Sequence, residues 1–197
     1  MSERRKVGRL NNRSPVTVAP LPPDLWTADP EVLRALPAEL RAWLTDAGLL
    51  TERIATASGG RAGLTVVAQR RGTLSREQQV LLEAPAARCL IREVVLTGRG
   101  RPWVFAQSLV PEYTLERHPW LADLGERPLG ATLVASADRA RGGFEYAQLP
   151  AAHSLAARAL GGRGYVPPSV WARRSWFALH GRRLLVQEVF LPELLPC

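Results

Sequence analysis

The chain has 197 residues, enough for one sizeable hydrophobic core, and its hydrophobic content of 46% is ordinary for a globular protein. No apolar run approaches the length of a membrane span, and the amino terminus lacks the continuous apolar stretch of a secretory signal. A formal net charge of +8, from 26 basic and 18 acidic residues, raises the question of nucleic-acid binding. Lys6 is the only lysine, however, and the arginines are scattered without a zinc-finger or RNA-binding signature, so we expect no nucleic-acid partner.

The amino-terminal segment and the cysteines bear on domain organisation and compartment. Residues 1–23 are basic and end in prolines; we interpret them as a disordered tail ahead of one domain at 24–197, with an organellar transit peptide as the alternative. Cys89 lies in a predicted strand and Cys197 ends the chain, which argues against a structural disulfide and favours a cytoplasmic location. The three histidines are far apart, so we predict surface or loop positions and no metal site for them: His118, His153 and His180.

The first half of the chain predicts helices followed by a strand. Apolar residues recur at three- and four-residue steps over residues 30–50, which is typical of an amphipathic helix, and Pro37 should split it. Gly48 marks the predicted end. Residues 64–69 predict a strand, and residues 73–84 favour either a short helix or an exposed flap.

The second half is dominated by predicted hairpins. Residues 89–111 read CLIREVVLTGRGRPWVFAQSLVP, two strand-forming runs around a glycine- and proline-containing turn. A second pair of strands is predicted at 170–180 and 183–191, joined at residues 180–182. Residues 121–136 have broken helical character, and residues 150–168 are rich in loop-forming residues. Helices followed by hairpin-linked strands predict an α+β domain with an antiparallel sheet.

Each predicted hairpin carries one charge on an otherwise apolar strand face. Because alternate strand residues share a face, Arg92 lies with three apolar side chains, those of Leu90, Val94 and Leu96. Glu188 likewise lies with those of Leu184, Val186 and Phe190. Charges in such positions are normally excluded unless they are paired.

Two interpretations of these charges are open. Arg92 and Glu188 either form a buried ion pair, which would contribute weakly to stability, or line a pocket whose ligand they share. Arginine's planar fork suits a carboxylate, and a buried glutamate suits a hydroxyl or accepts a proton. The second interpretation predicts a small ligand with a carboxylate at one end and a hydroxyl at the other.

Three separated blocks resemble the chorismate pyruvate-lyase family: CLIREVVLTGRGRPWVFAQSLVP, LADLGERPLG (121–130) and RRLLVQEVFLP (182–192). The resemblance covers roughly residues 24–195. It implies one antiparallel sheet of about six strands, with helices packed on it and flaps over an enclosed ligand site. Residues 150–168 form a longer stretch than the family leads us to expect.

The resemblance also implies an activity and a set of site residues. Such an enzyme converts chorismate to 4-hydroxybenzoate and pyruvate for ubiquinone biosynthesis, as a cytoplasmic monomer without a cofactor or membrane insertion. Arg92 would hold the product's carboxylate and Glu188 its phenolic hydroxyl, while Leu129 and Leu50 would contribute backbone groups; Leu50 stands where relatives have methionine. The alternative is a small-acid-sensing effector domain of related fold, which would follow a DNA-binding domain; residues 1–23 are too short for one.

Overall fold

The structure is a computed structural model that describes residues 25–134 and 139–195. Within these ranges the chain forms one antiparallel sheet of seven strands, accompanied by six α-helices. This confirms the predicted α+β class and single antiparallel sheet, with seven strands instead of about six. The predicted tail at 1–23 and Cys197 lie outside the described residues.

The helices and strands alternate in short runs along the chain. The strands are β1 (Ala62–Thr73), β2 (Arg88–Gly98), β3 (Arg101–Pro111), β4 (Arg139–Arg141), β5 (Glu145–Pro150), β6 (Ser169–Leu179) and β7 (Arg182–Phe190). The helices are α1 (Ala38–Thr45), α2 (Leu50–Ser58), α3 (Arg76–Leu82), α4 (Glu112–Arg117), α5 (Leu129–Val134) and α6 (Ser154–Leu160). Single 3-10 turns occupy Pro30–Leu33, Pro119–Ala122 and Pro192–Leu194.

The two predicted hairpins form the centre of the sheet. The strand order is β1-β2-β3-β7-β6-β4, and β5 also pairs with β6. Both hairpins close with two-residue turns whose central residues have positive φ, at Arg99–Gly100 (55° and 76°) and His180–Gly181 (49° and 75°). Such turns match the right-handed twist of the strands they join. The pairing of β3 with β7 then joins the hairpins side by side.

The helix boundaries follow local sequence signals. Pro37 precedes α1, as its predicted splitting role requires, and the part before it forms the 3-10 turn Pro30–Leu33. The helix ends at Thr45, three residues before the predicted end at Gly48, and α2 begins at Leu50. Of the two predictions for residues 73–84, the helix is correct. It is α3, which begins at a reciprocal capping box formed by Ser75 and Gln78. Residues 150–168 are rich in loop, as predicted, but they also contain α6, which was not predicted. Its N-cap is a histidine side chain, and its apolar residues pack on the sheet.

The sheet has two faces, and alternation along the central strands assigns residues to them as predicted. The inner face of the sheet carries Leu90 and Val94 of β2 and packs against α1, α2, α4 and α5. The outer face carries Ile91 and Val95 and packs against α3 and α6. None of the helices in the described ranges is long and apolar enough to cross a membrane.

His118 lies in the connection between α4 and the turn Pro119–Ala122, so of the predicted surface or loop positions it has the loop position. It is nevertheless buried, stacks on His180 and lies with Nε2 3.2 Å from the carbonyl oxygen of Leu179. Burial lowers the pKa of the His118 imidazole; the carbonyl of Leu179 opposes this shift, and the neighbouring positive groups add to it. The described residues contain no cluster of three potential metal ligands.

A polar row crosses the otherwise apolar outer face. Glu93 is fully buried, and its carboxylate accepts a hydrogen bond from Gln107, directly opposite it on β3. Arg158 of α6 binds both carboxylate oxygens, and Arg70 of β1 lies 3.2 Å from one of them. Burial would raise the pKa of Glu93, but these hydrogen bonds and charges outweigh it and hold the pKa below its ordinary value of 4.5. This row ties α6 to the sheet.

Replacing Glu93 with glutamine should destabilise the protein in a pH-dependent manner. A glutamate whose folded pKa is lowered stabilises the fold above its unfolded pKa, and this stabilisation disappears as the pH falls through the folded pKa. We expect Glu93→Gln to lower the free energy of unfolding by about 1–2 kcal/mol at pH 7, because the arginine partners are half exposed. Urea unfolding should show this difference shrinking below about pH 4.5. The exposed Glu31→Gln is the control, and an equal deficit at pH 7 and pH 3 would contradict the assignment.

Candidate active site

A cavity of about 580 Å³ lies between the inner face of the sheet and the helices that cover it. The sheet forms its floor, which is largely apolar. Its cover consists of two segments, residues 47–52 at the start of α2 and residues 128–134 in and before α5. Apolar walls around a few polar groups are typical of small-molecule sites.

Arg92 is the most unusual group in this cavity. Only 3% of the residue is exposed, and its Nη2 donates hydrogen bonds to the carbonyl oxygens of Gly125 (2.8 Å) and Arg127 (3.2 Å). Its Nε is buried without a hydrogen-bond partner, and no carboxylate of the described residues lies within ion-pair distance. Burial lowers the pKa of Arg92, yet arginine stays protonated at neutral pH. The cavity therefore contains a buried positive charge that no residue in the described ranges neutralises with an ion pair.

Glu188 lines the same cavity but pairs with a different arginine. Its Oε2 accepts a hydrogen bond from Nε of Arg173 at 2.5 Å, and the two residues are directly opposite each other on β7 and β6. The interpretation of Arg92 and Glu188 as an ion pair is therefore wrong. Oε1 of Glu188 accepts no hydrogen bond from the residues that the structure describes, so it is available to a ligand.

Arg173 holds Glu188 in place and also secures the cover. It is 1% exposed, and its Nη1 donates to the carbonyl oxygens of Trp43, Leu44 and Asp46 at the carboxyl end of α1. These carbonyls have no intrahelical donor, which makes them ready acceptors. The guanidinium also lies over the rings of Phe144 and Phe190, 4.3 and 5.5 Å from their centroids.

Leu129 and Leu50 are the first residues of α5 and α2, and both line the cavity. The N–H groups in the first turn of a helix have no acceptor within that helix. Each residue can therefore offer a main-chain donor to a ligand. All four residues singled out from the sequence thus line one cavity, and their roles toward a ligand stay predictions.

Two further arginines, Arg141 and Arg173, line the cavity, and neither was singled out from the sequence. Counting back from the His180–Gly181 turn would have placed Arg173 opposite Glu188, since antiparallel partners lie at equal distances from the turn. Arg141 lies on the three-residue strand β4, where no sequence signal marks it. Its Nε donates to Oγ of Ser175 (3.3 Å) and its Nη1 to the carbonyl oxygen of Ala47 (2.9 Å).

Comparison with known proteins decides the family. The family model described as "Chorismate lyase" matches residues 23–196. The chain belongs to the chorismate lyase family. A protein from Azoarcus sp. (strain BH72), named "Probable chorismate pyruvate-lyase", is 43% identical over 177 residues, which cover 86% of this chain and 92% of the relative. A protein of the same name from Aromatoleum aromaticum is 40% identical over 166 residues, covering 81% and 88% of the two chains.

Solved structures show how this family's fold is shared more widely. The effector domain of PhnF from Mycobacterium smegmatis superposes with a TM-score of 0.55 at 20% identity, covering 74% of this chain and 90% of that domain. The longer PhnF structure gives a TM-score of 0.56. The likeness to PhnF concerns the fold alone.

The resemblance to the chorismate lyase family, which was inferred from three sequence blocks, is confirmed by the family model and the relatives.

A double-mutant cycle should measure how strongly Arg173 and Glu188 depend on each other. Arg173→Met leaves the Glu188 carboxylate without a partner in a cavity, and breaking such a buried pair costs about 3–5 kcal/mol. Adding Glu188→Gln removes the unpaired charge, so we expect the double variant to recover about 1–3 kcal/mol of the loss. Urea unfolding of the four proteins measures the coupling. Strictly additive effects would contradict the proposed dependence.

Proposed function

We propose that the protein is a chorismate pyruvate-lyase, which converts chorismate to 4-hydroxybenzoate and pyruvate and thereby supplies ubiquinone biosynthesis. Membership of the family and the names of the relatives support this activity. The observation that carries the proposal is the buried Arg92 guanidinium, which faces a largely apolar cavity with no carboxylate partner among the described residues. A carboxylate ligand would supply the missing counter-charge.

The sheet register supports a disubstituted ring lying between Arg92 and Glu188. Arg92 is opposite Ser108, and Glu188 is opposite Ala106 two residues away. The two residues lie two strands apart and are displaced by two residues along the strand direction. Their Cα atoms are therefore about 12 Å apart. Both side chains line the cavity over this part of the sheet, and a six-membered ring placed there would have its carboxylate toward Arg92 and its hydroxyl toward Glu188.

Each site residue then has a role. Arg92 binds the ring carboxylate through its unpaired Nε and neighbouring N–H groups, in the manner of charge-assisted arginine–carboxylate pairs. Oε1 of Glu188 accepts a hydrogen bond from the hydroxyl on ring carbon 4. The N–H groups of Leu129 and Leu50 add orientation, and the apolar floor packs against the ring. Together they hold chorismate in a geometry suited to elimination.

The reaction breaks two bonds of the substrate. The hydrogen leaves carbon 4 as a proton, its electron pair completes the aromatic ring, and the bond between carbon 3 and the ether oxygen breaks. The departing enolpyruvate takes up a proton and becomes pyruvate. The proton from carbon 4 goes either to Glu188 or directly to the departing group. Because aromatisation supplies the driving force, we propose that no cofactor takes part.

Incubation of the purified protein with chorismate tests the proposal directly. We expect 4-hydroxybenzoate and pyruvate to appear in equal amounts. The alternative, a small-acid-sensing domain, is favoured only by the fold shared with the PhnF effector domain. A sensor would bind 4-hydroxybenzoate without turning over chorismate. A monomeric state, a cytoplasmic location and the lack of a nucleic-acid partner stay predictions.

Arg92→Met should separate activity from stability. Methionine keeps much of the side-chain length but removes the charge, and loss of one partner from a buried charge pair costs about 2–5 kcal/mol of binding. We expect kcat/KM for chorismate to fall by about 100-fold or more. Thermal unfolding should show equal or higher stability, since the free protein loses an uncompensated buried charge. Exposed Arg101→Met is the control, and activity within a few-fold of the wild type would contradict the anchoring role.

Glu188→Gln should lower kcat and distinguish the two fates of the proton. Glutamine keeps a hydrogen-bond acceptor for the hydroxyl but carries no charge and accepts no proton. We expect kcat to fall at least about 10-fold, while a general base would account for about 100- to 10,000-fold. Steady-state kinetics of the purified variant measure the loss. An unchanged kcat would show that Glu188 has no part in the chemical step.

A further inference from the structure

The cavity contains a second arginine, Arg141, that has no ion-pair partner within the part of the chain that the structure describes. Among its charged lining residues, Glu188 is engaged by Arg173, and Glu52 lies exposed at the rim. Arg92 and Arg141 form no ion pair with any residue that the structure describes. A ligand with one carboxylate would satisfy only one of these two positive charges.

Neutral groups hold the Arg141 guanidinium in place. Its central carbon lies 4.2 Å from the ring centroid of Phe144 and 5.0 Å from that of Phe177. Two acceptors, Ser175 and the carbonyl of Ala47, engage Nε and Nη1, whereas Nη2 donates no hydrogen bond to the described residues. The side chain is thus positioned in advance, with N–H groups left for a ligand.

The sheet register places Arg92 at one end of a cross-strand row and Ser175, which Arg141 contacts, at the other end, while Arg141 itself is paired with Phe177. Arg92 is paired across the strands with Ser108, then Val186, then Ser175, whose hydroxyl binds Arg141. Three strand spacings make the row from Arg92 to Ser175 about 14 Å long, and both arginines line the cavity. Glu188 lies on the strand between them, two residues along from Val186.

Electrostatics also place Arg141 close to Glu188. Burial lowers the pKa of Arg141. The negative charge of Glu188 raises this pKa, and the positive charge of Arg173 lowers it further. Arg141 therefore lies within electrostatic reach of the group that we assign to the hydroxyl on carbon 4. In chorismate the enolpyruvyl ether is attached to carbon 3, the neighbour of that carbon.

We propose that Arg141 binds the carboxylate of the enolpyruvyl group. The assignment rests on the proposed function, in which Arg92 takes the ring carboxylate and Glu188 the hydroxyl. Chorismate then provides one carboxylate to Arg92 and one to Arg141, whereas 4-hydroxybenzoate provides a carboxylate to Arg92 alone. Arg141 thereby favours the dicarboxylate substrate over the monocarboxylate product, and pyruvate leaves from the Arg141 end of the cavity.

Arg141→Gln tests this assignment with two ligands that do not react. One is 4-hydroxybenzoate; the other is 3-(carboxymethoxy)-4-hydroxybenzoate, which adds a second carboxylate at the position of the enolpyruvyl ether. Calorimetry should show that the wild type binds the dicarboxylate more tightly. In the variant we expect this preference to disappear, a loss of about 10-fold or more, while 4-hydroxybenzoate binds within about threefold of the wild type. With chorismate, KM should rise by a similar factor and kcat should change less.

Three further variants make the result specific. Arg92→Gln should weaken both ligands, because both carry the ring carboxylate. Exposed Arg34→Gln should weaken neither. Arg141→Lys retains the charge and should restore part of the preference for the dicarboxylate. Such recovery would show that the loss in Arg141→Gln comes from the missing charge and not from misfolding.

The outcomes for Arg141 and for the proposed function are distinguishable. If the wild type does not turn over chorismate, the lyase proposal fails, while the binding comparison still tests Arg141. Equal weakening of both ligands in Arg141→Gln, or unchanged binding of the dicarboxylate, would overturn the assignment of Arg141.

Discussion

The ion pair between Arg173 and Glu188 determines how charge is distributed in the cavity. It links β6 to β7 at the centre of the sheet, and the same arginine binds the last carbonyls of α1. Because Glu188 pairs with Arg173, it forms no ion pair with Arg92 or Arg141. Among the described residues no carboxylate pairs with either of these arginines, and Oε1 of Glu188 beside them is free to accept a hydrogen bond from a ligand. The specificity that we propose for the site follows from this arrangement.

Two consecutive residues of β2 illustrate the difference between structural and functional burial of charge. Glu93, on the outer face, accepts hydrogen bonds from Gln107 and Arg158 and lies close to Arg70, so its charge is fully compensated. Arg92, on the inner face, has carbonyl acceptors for one nitrogen but none for Nε. Burying an unpaired charge is costly. The uncompensated residue of the two is therefore the one that faces the cavity.

Much of this arrangement could be predicted from the sequence, since strands repeat every two residues and hairpin turns are marked by glycine. These two rules identified the hairpins, the strand faces and the two misplaced charges. They could also have located Arg173 by counting from the turn. The position of Arg141 depends on a three-residue strand and on contacts with Ala47 and Ser175, which are distant in sequence. Likewise, α6 was not predicted because glycines and prolines follow it. His118 is buried against Leu179 and His180, which are about 60 residues away in the sequence.

The way in which the cover is attached has a consequence for sequence variation. Arg173 and Arg141 bind residues 43–47 through carbonyl oxygens of the main chain, which every amino acid possesses. The side chains at Leu44 and Ala47 contribute nothing to these particular bonds. Trp43 and Leu44 are fixed by their burial in the core, but the exposed positions Thr45 and Ala47 can accept substitutions while the segment keeps its place over the cavity. The two arginines beneath it cannot be exchanged. Differences among homologues in this segment would then tune the shape of the cavity wall without detaching it.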